Sequence, residues 1–173
     1  YALSLWNKCI SLGENYNITP YGTEAMHVLR AEKGYIIVGQ ETDGSVTPID
    51  LDMNWIVSKK KYDFIGKRAL NRSDTVKENR KQLVGILTID PSIVLEEGSQ
   101  LVEVETSLPM PMVGHITSSY YSPNLGRSIA LGLVQSGTKK KGTKLIVPTD
   151  NKSIEVEITS PVFIDPENER LFA

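Results

Sequence analysis

The sequence predicts an α+β protein in which a mixed α/β unit is followed by a six-stranded antiparallel β-barrel or jelly roll. Three observations predict it. Apolar residues near the start recur every three or four positions. From about residue 83 the period changes to two. Thereafter short alternating runs are separated by turns rich in Gly, Pro, Ser and Asn. With 173 residues, 40% apolar and 23% charged, the chain is ordinary for a globular protein and far from the composition of disordered ones.

In order, Ala2, Leu5, Trp6, Cys9, Gly13 and Tyr16 form one apolar stripe, predicting a helix over 2–16 with that stripe buried, ended by Pro20. Thr23 is the expected N-cap of a second helix, Glu24 complements its positive end, Ala25, Val28 and Leu29 are its stripe, and Gly34 is its stop. Tyr35 to Val38 and Trp55 to Val57 read as extended segments around a polar turn at Glu41 to Gly44. Asp63 is expected to cap a short helix over 64–70, and 71–80 is a polar link. The alternation at Leu83 to Ile89 and Ile154 to Ile158, with runs at 101–104, 112–120, 128–135 and 144–147, supplies six strands. The expected division is 1–58, a helical linker 59–81, and a barrel 82–173.

Nineteen basic against 21 acidic residues leave a net charge of -2, so no overall field draws the chain to nucleic acid or an anionic membrane. Lys59 to Lys61 and Lys139 to Lys141 fall at turns without interleaved aromatics and read as hydrated surface lysines. The longest apolar runs are strand-length, far short of the roughly 18 residues of a membrane span. A single cysteine forms no internal disulfide, which suggests a reducing compartment such as the cytoplasm. The start at Tyr1 rather than Met, running straight into a helical pattern, suggests that an upstream part is absent.

Candidate chemical residues are few. With Cys9, His27 and His115 alone, no Cys/His zinc cluster is expected, and no metal site is predicted. His27 reads as a surface partner of Glu24, His115 as a strand residue facing solvent or a neighbouring subunit, and Cys9 as a small buried thiol. There is no glycine-rich phosphate loop and no nucleophile motif, so no catalytic residue is assigned. Trp55 is either core or a flat face for a planar ligand. Arg30 and Glu32 form either a solvated pair or an enclosed lock between the helix and its neighbouring loop.

The run Tyr21-Gly22-Thr23-Glu24-Ala25-Met26-His27-Val28-Leu29-Arg30-Ala31-Glu32-Lys33-Gly34-Tyr35, followed by Gly39 to Gly44 and Thr47-Pro48, resembles the aminomethyltransferase family typified by the glycine-cleavage T-protein. Asp63-Phe64-Ile65-Gly66-Lys67-Arg68-Ala69-Leu70 and Ser160 to Pro166 look like one subgroup, the C-terminal region of the alpha subunit of heterotetrameric sarcosine oxidase, and its dimethylglycine-oxidising relatives. The resemblance extends from Ala2 to Phe172. It implies the end of the family's central subdomain followed by its C-terminal barrel.

The resemblance also implies tetrahydrofolate as cofactor of the complete unit, with FAD, FMN and NAD confined to absent parts or partner subunits. The implied partners are the rest of an alpha subunit and the other sarcosine oxidase subunits. In that setting a flavin elsewhere oxidises the N-methyl group of sarcosine and tetrahydrofolate captures the one-carbon unit as methylenetetrahydrofolate. The family's acidic catalytic residue precedes this segment, which alone is expected to be inactive. Trp55 matches the tryptophan near the pterin-binding opening, and Met26 stands where T-proteins usually have a folate-site arginine, removing a fixed cation there. The tyrosine pair at the end of T-proteins is replaced by Asp165 to Arg170. The alternatives are a non-catalytic subunit-docking or structural module, or part of a dimethylglycine oxidase or dehydrogenase or another aminomethyltransferase.

Overall fold

Six strands, all paired antiparallel, carry most of the structure, a computed structural model that describes residues 1–150 and 152–172. They are β1 (Lys81–Thr88), β2 (Gln100–Leu101), β3 (Gly114–Ser122), β4 (Arg127–Gln135), β5 (Lys144–Pro148) and β6 (Ser153–Thr159). Their order is β2-β3-β4-β1-β6-β5. Val102, just beyond β2, and Ile146 of β5 exchange two backbone hydrogen bonds of 2.9 Å, which brings the two ends of the sheet together into a nearly closed barrel. Closure leaves few unpaired strand edges. The α+β class and six-stranded barrel expected from the period-two runs are therefore present.

Inside the barrel, Val84, Ile86, Leu101, Ile116, Ala130, Val134, Leu145, Val147, Val156 and Ile158 form one apolar cluster. The other face of its central strands is also covered. Leu83, Leu131 and Leu133 pack with Leu51, Ile36, Val46, Met53 and Phe163 from the flanking segments. This is why β1 is apolar at both alternating sets, whereas β6, exposed at Ser153, Glu155 and Glu157, is apolar at one. A β-bulge between Ile116 and Ser118 adds a residue to β3, so that Ile116 lies opposite Gly132 and Ser118 opposite Leu131. Ser118 is thereby turned to the outer face, toward the second helix.

The helices depart from the expected pattern. α1 spans Ala2–Gly13 and continues as a 3-10 turn over Glu14–Tyr16, but of its apolar stripe only Gly13 is buried. Leu5, Trp6, Cys9 and Tyr16 are exposed, and the one described element packed substantially against α1 is its own 3-10 continuation. α2 spans Thr23–Glu32, with Gly22 rather than Thr23 at the N-cap and no side-chain cap bond. Its buried residues are Arg30, Ala31 and Glu32, while Ala25 and Leu29 are exposed. Gly34 does end it, at φ +72°, a conformation that favours glycine.

Three further expectations fail. Tyr35 to Val38 holds no strand, only an isolated bridge from Val38 to Thr42. Trp55 lies in a 3-10 turn, Asn54–Ile56, not an extended segment. The stretch 64–70 is a series of turns ending in a 3-10 turn, Ala69–Asn71, although Asp63 Oδ1 does accept a hydrogen bond from Phe64 N at 2.9 Å. Both lysine runs lie at turns: Lys59 to Lys61 are exposed, and Lys139 and Lys140 form part of a 3-10 turn. The last residue of the expected barrel range, Ala173, lies outside the described residues.

Candidate functional site

The end of α2 is sewn to the barrel by a buried polar seam. Arg30 Nη1 donates to Glu41 Oε2 at 3.1 Å and to the Tyr35 carbonyl at 3.2 Å. Its Nη2 donates to Ser118 Oγ at 2.6 Å, Gln40 Oε1 at 2.8 Å and the Tyr120 hydroxyl at 3.3 Å. Glu41 is 0% exposed and accepts two further hydrogen bonds, from Ser118 Oγ at 2.5 Å and Ile37 N at 2.7 Å. Arg30 and Glu32 do not pair with each other. Glu32 accepts from Ser122 Oγ at 2.5 Å and from Asn124 Nδ2 at 2.9 Å, and its carbonyl receives the backbone N–H groups of Phe163 and Ile164. Both terminal nitrogens of Arg30 and the Glu41 carboxylate are hydrogen-bonded, although Arg30 Nε is buried without a partner, and paired buried charges of this kind tie elements together. The seam holds the segment after α2 against the barrel.

That segment and the barrel wall enclose a cleft of about 350 Å³, within the size range of small-molecule sites. Its apolar base includes the buried Leu51 and Leu83, with Pro161 and Val162 on one side. Trp55, 77% exposed, and Tyr35, 57% exposed, also line it. Trp55 stands out because its 3-10 turn is closed by Ile56 N to Met53 O and Val57 N to Asn54 O, while Leu51 anchors the chain just before it. Asp52, at φ +58°, lines the same cleft. Lys33 also reaches it, with its ammonium bound to Asp165 Oδ2 at 3.1 Å.

The other sequence candidates lie elsewhere. Met26 is exposed on α2 and is not among the residues of this cleft, so the structure does not join it to Trp55. His27 stacks on Tyr120 with ring centroids 6.5 Å apart, and its Nδ1 is buried without a partner. It is not a surface partner of Glu24. His115 is half-buried beside Lys81, and Cys9 is exposed. Among the described residues no group of three or more His, Cys, Asp or Glu is placed to hold a metal ion. Tyr35 was missed as a cleft residue; its one sequence signal is its place directly after the helix-ending Lys33-Gly34.

The loop carrying Trp55 is fixed from below by Asp50 and Arg80. Arg80 Nε donates to Asp50 Oδ1 at 2.8 Å and Nη2 to Oδ2 at 2.5 Å, while Thr47 N and Oγ1 each donate to Oδ2 at 2.8 Å. Burial would push the Asp50 carboxyl up, but the hydrogen bonds from Arg80 and Thr47 outweigh it and hold it below the usual carboxylate value. A carboxyl depressed in the folded state adds stability at pH values above its unfolded pKa of about 3.9, and loses it as pH falls through the lower folded value. Urea midpoints measured from neutrality down through this range are therefore expected to fall less steeply in Asp50→Asn than in the parent. Parallel curves for the two would contradict the assignment.

With this geometry in place, comparison with known proteins gives a consistent result. Residues 1–61 match the model of the GCVT N-terminal domain, and residues 81–165 that of the glycine cleavage T-protein C-terminal barrel domain. The chain belongs to the glycine-cleavage T-protein family of aminomethyltransferases. It is 47% identical over 173 residues to sarcosine oxidase subunit alpha of Corynebacterium sp. (strain U-96), covering 98% of this chain but 18% of that relative. An aminomethyltransferase of Thermoanaerobacter pseudethanolicus is 31% identical over 94% of this chain and 42% of its own length. Among solved structures, the glycine cleavage system aminomethyltransferase T of Bartonella henselae superposes with a TM-score of 0.78 at 25% identity, covering 94% of this chain and 44% of that one. This member of the family thus spans less than a fifth of the sarcosine oxidase relative, and no described helix is long and apolar enough to cross a membrane.

Proposed function

We propose that this segment is a C-terminal part of a sarcosine oxidase alpha-like polypeptide and contributes one wall of its tetrahydrofolate-binding unit. The observation that carries the reading is the 47% identity to sarcosine oxidase subunit alpha sustained over 98% of the chain. The cleft supports it: an exposed indole beside an apolar base suits one face of a planar pterin. Residues 1–58 would be the end of the central subdomain, 59–81 a linker and 82–173 the terminal barrel.

When bound, tetrahydrofolate supplies the nitrogen nucleophiles that take up a one-carbon unit released by oxidation of sarcosine at a flavin elsewhere in the enzyme. Trp55 would hold the ring by its face, and Leu51, Leu83, Pro161 and Val162 would keep water from that side. Asp52 offers a carboxylate to amino or ring N–H donors at the cleft. These are positioning contributions; no side chain of the segment is assigned to bond making. Met26 leaves α2 without the cation that T-proteins are expected to carry, so the helix contributes no ion pair to folate at that position.

The docking reading has its own support. Leu3, Leu5, Trp6 and Leu12 of α1 are all exposed, an apolar surface suited to more polypeptide. Trp55→Ala in the complete enzyme separates the readings. The wall reading expects a weakened response to tetrahydrofolate, seen as a raised KM or lost stimulation. Because the indole is largely exposed, the melting midpoint should move little, within about ±0.5 kcal/mol in stability. An unchanged folate response would favour docking alone.

A further inference from the structure

A second cavity, of about 230 Å³, lies where the turn around Asp43 meets the outer face of the barrel. Three nitrogen-bearing side chains line it, and of these Arg80 is bound to Asp50 while Lys81 and His115 face each other. Lys81 starts β1 and His115 lies on β3; their β4 partners are Gln135 and Leu133, two residues apart on one face. Lys81 Nζ approaches His115 Nδ1 to 3.5 Å in a half-buried setting. Lys81 makes no ion pair among the described residues. The other charged groups lining the cavity are engaged in other contacts. Both oxygens of Asp50 are taken by Arg80 and Thr47, and Asp43, exposed, accepts from Ser45 N and Oγ at 2.7 Å each.

We propose that Lys81 and His115 form a binding site for a small oxyanion, a phosphate or carboxylate group. With the site free, burial and the neighbouring Lys81 charge push His115 below its ordinary value, against a weaker pull from Asp43, so the ring is neutral near pH 7. A neutral ring accepts the Lys81 ammonium at Nδ1 and keeps its proton on Nε2. An oxyanion seated between the two accepts hydrogen bonds from Lys81 and from a protonated imidazole, replacing the long Lys81–His115 contact with two charge-assisted bonds and offsetting the repulsion that protonation of the ring would otherwise bring. Binding is therefore accompanied by proton uptake and is tighter below neutrality.

Acylation of lysines by an N-hydroxysuccinimide ester, read by peptide mass spectrometry on the complete polypeptide, tests this. Inorganic phosphate and glutarate, a dicarboxylate with no amine to consume the ester, serve as separate probes, with sodium chloride at matched ionic strength. Either probe is expected to slow labelling of Lys81 saturably, by about tenfold at a concentration near ten times Kd. Lys144, more than half exposed, is the internal reference and should not change. Protection by phosphate alone identifies a phosphate ligand, and protection by glutarate alone a carboxylate. Protection should be stronger below neutrality in the parent and lose that dependence in His115→Gln. Labelling of Lys81 unaffected by both probes overturns the site, and undiminished pH dependence in His115→Gln overturns the role of the imidazole.

Discussion

Replacing Arg30 with Met is expected to lower stability by about 3–5 kcal/mol, the range for removing one partner of a buried ion pair. Arg30 is the only cation paired with Glu41 among the described residues, and Glu41 is fully buried. Methionine can fill much of the space left by the side-chain stem, so the loss arises chiefly from a carboxylate stranded away from water. Arg30→Lys should fall between, since one ammonium has no fork with which to reach Glu41, Gln40, Ser118, Tyr120 and the Tyr35 carbonyl together. Adding Glu41→Leu to Arg30→Met should cost less than the sum of the two single changes, because no unpaired charge then remains. Urea unfolding of the parent, the three single variants and the double variant measures this. A loss below about 1 kcal/mol for Arg30→Met would place the pair among the weak exposed ones.

Gly85→Ala is the second large effect, by a different route. Gly85 lies mid-way along β1, paired with Leu131 of β4 on one side and Thr159 of β6 on the other. A Cβ there would stand 2.0 Å from the Ser160 carbonyl oxygen and 2.9 Å from Phe163 Cζ. The first obstacle is backbone, which no change of rotamer can clear, and the strand is held by neighbours on both edges. Overpacking of this kind costs about 1–3 kcal/mol and sometimes more. It should also pry Phe163 from Leu83 and Leu131, loosening the base of the Trp55 cleft. Gly44→Ala is the matched control. Nothing lies within 4 Å of its added carbon, so its thermal midpoint should stay level or rise slightly. Equal midpoints for the two variants would refute the steric argument.

The barrel was legible before any coordinates because its signal is local. Val84 and Ile86, or Val156 and Ile158, point the same way merely by being two residues apart in a strand. The helices were legible as helices for the same reason, and Gly34 as a stop. Their burial was not. The stripe Leu5, Trp6 and Cys9 has the right period, but period tells which residues share a face and not what lies opposite. The segment 64–70 had a capping residue type at Asp63 yet formed turns; Asp63 bonds only the adjacent Phe64 N–H, and a seven-residue helix gains little from a single favourable end.

The polar groups divide along the same line. Trp55 could be singled out as a large aromatic near a turn, with core and ligand-facing uses both open; its exposure beside Leu51 and Leu83 depends on a 3-10 turn resting on the barrel. Arg30, Glu41 and Ser118 meet across separations of 11 and 88 positions, and a bulge in β3 turns Ser118 toward them. Lys81 and His115 become neighbours only because β4 lies between their strands. Composition and period, properties of residues close along the chain, dictated an α+β protein with an antiparallel barrel. Which charges are buried together, and which aromatic faces an open cleft, followed from chain closure, since contacts between distant residues exist only once the strands have paired.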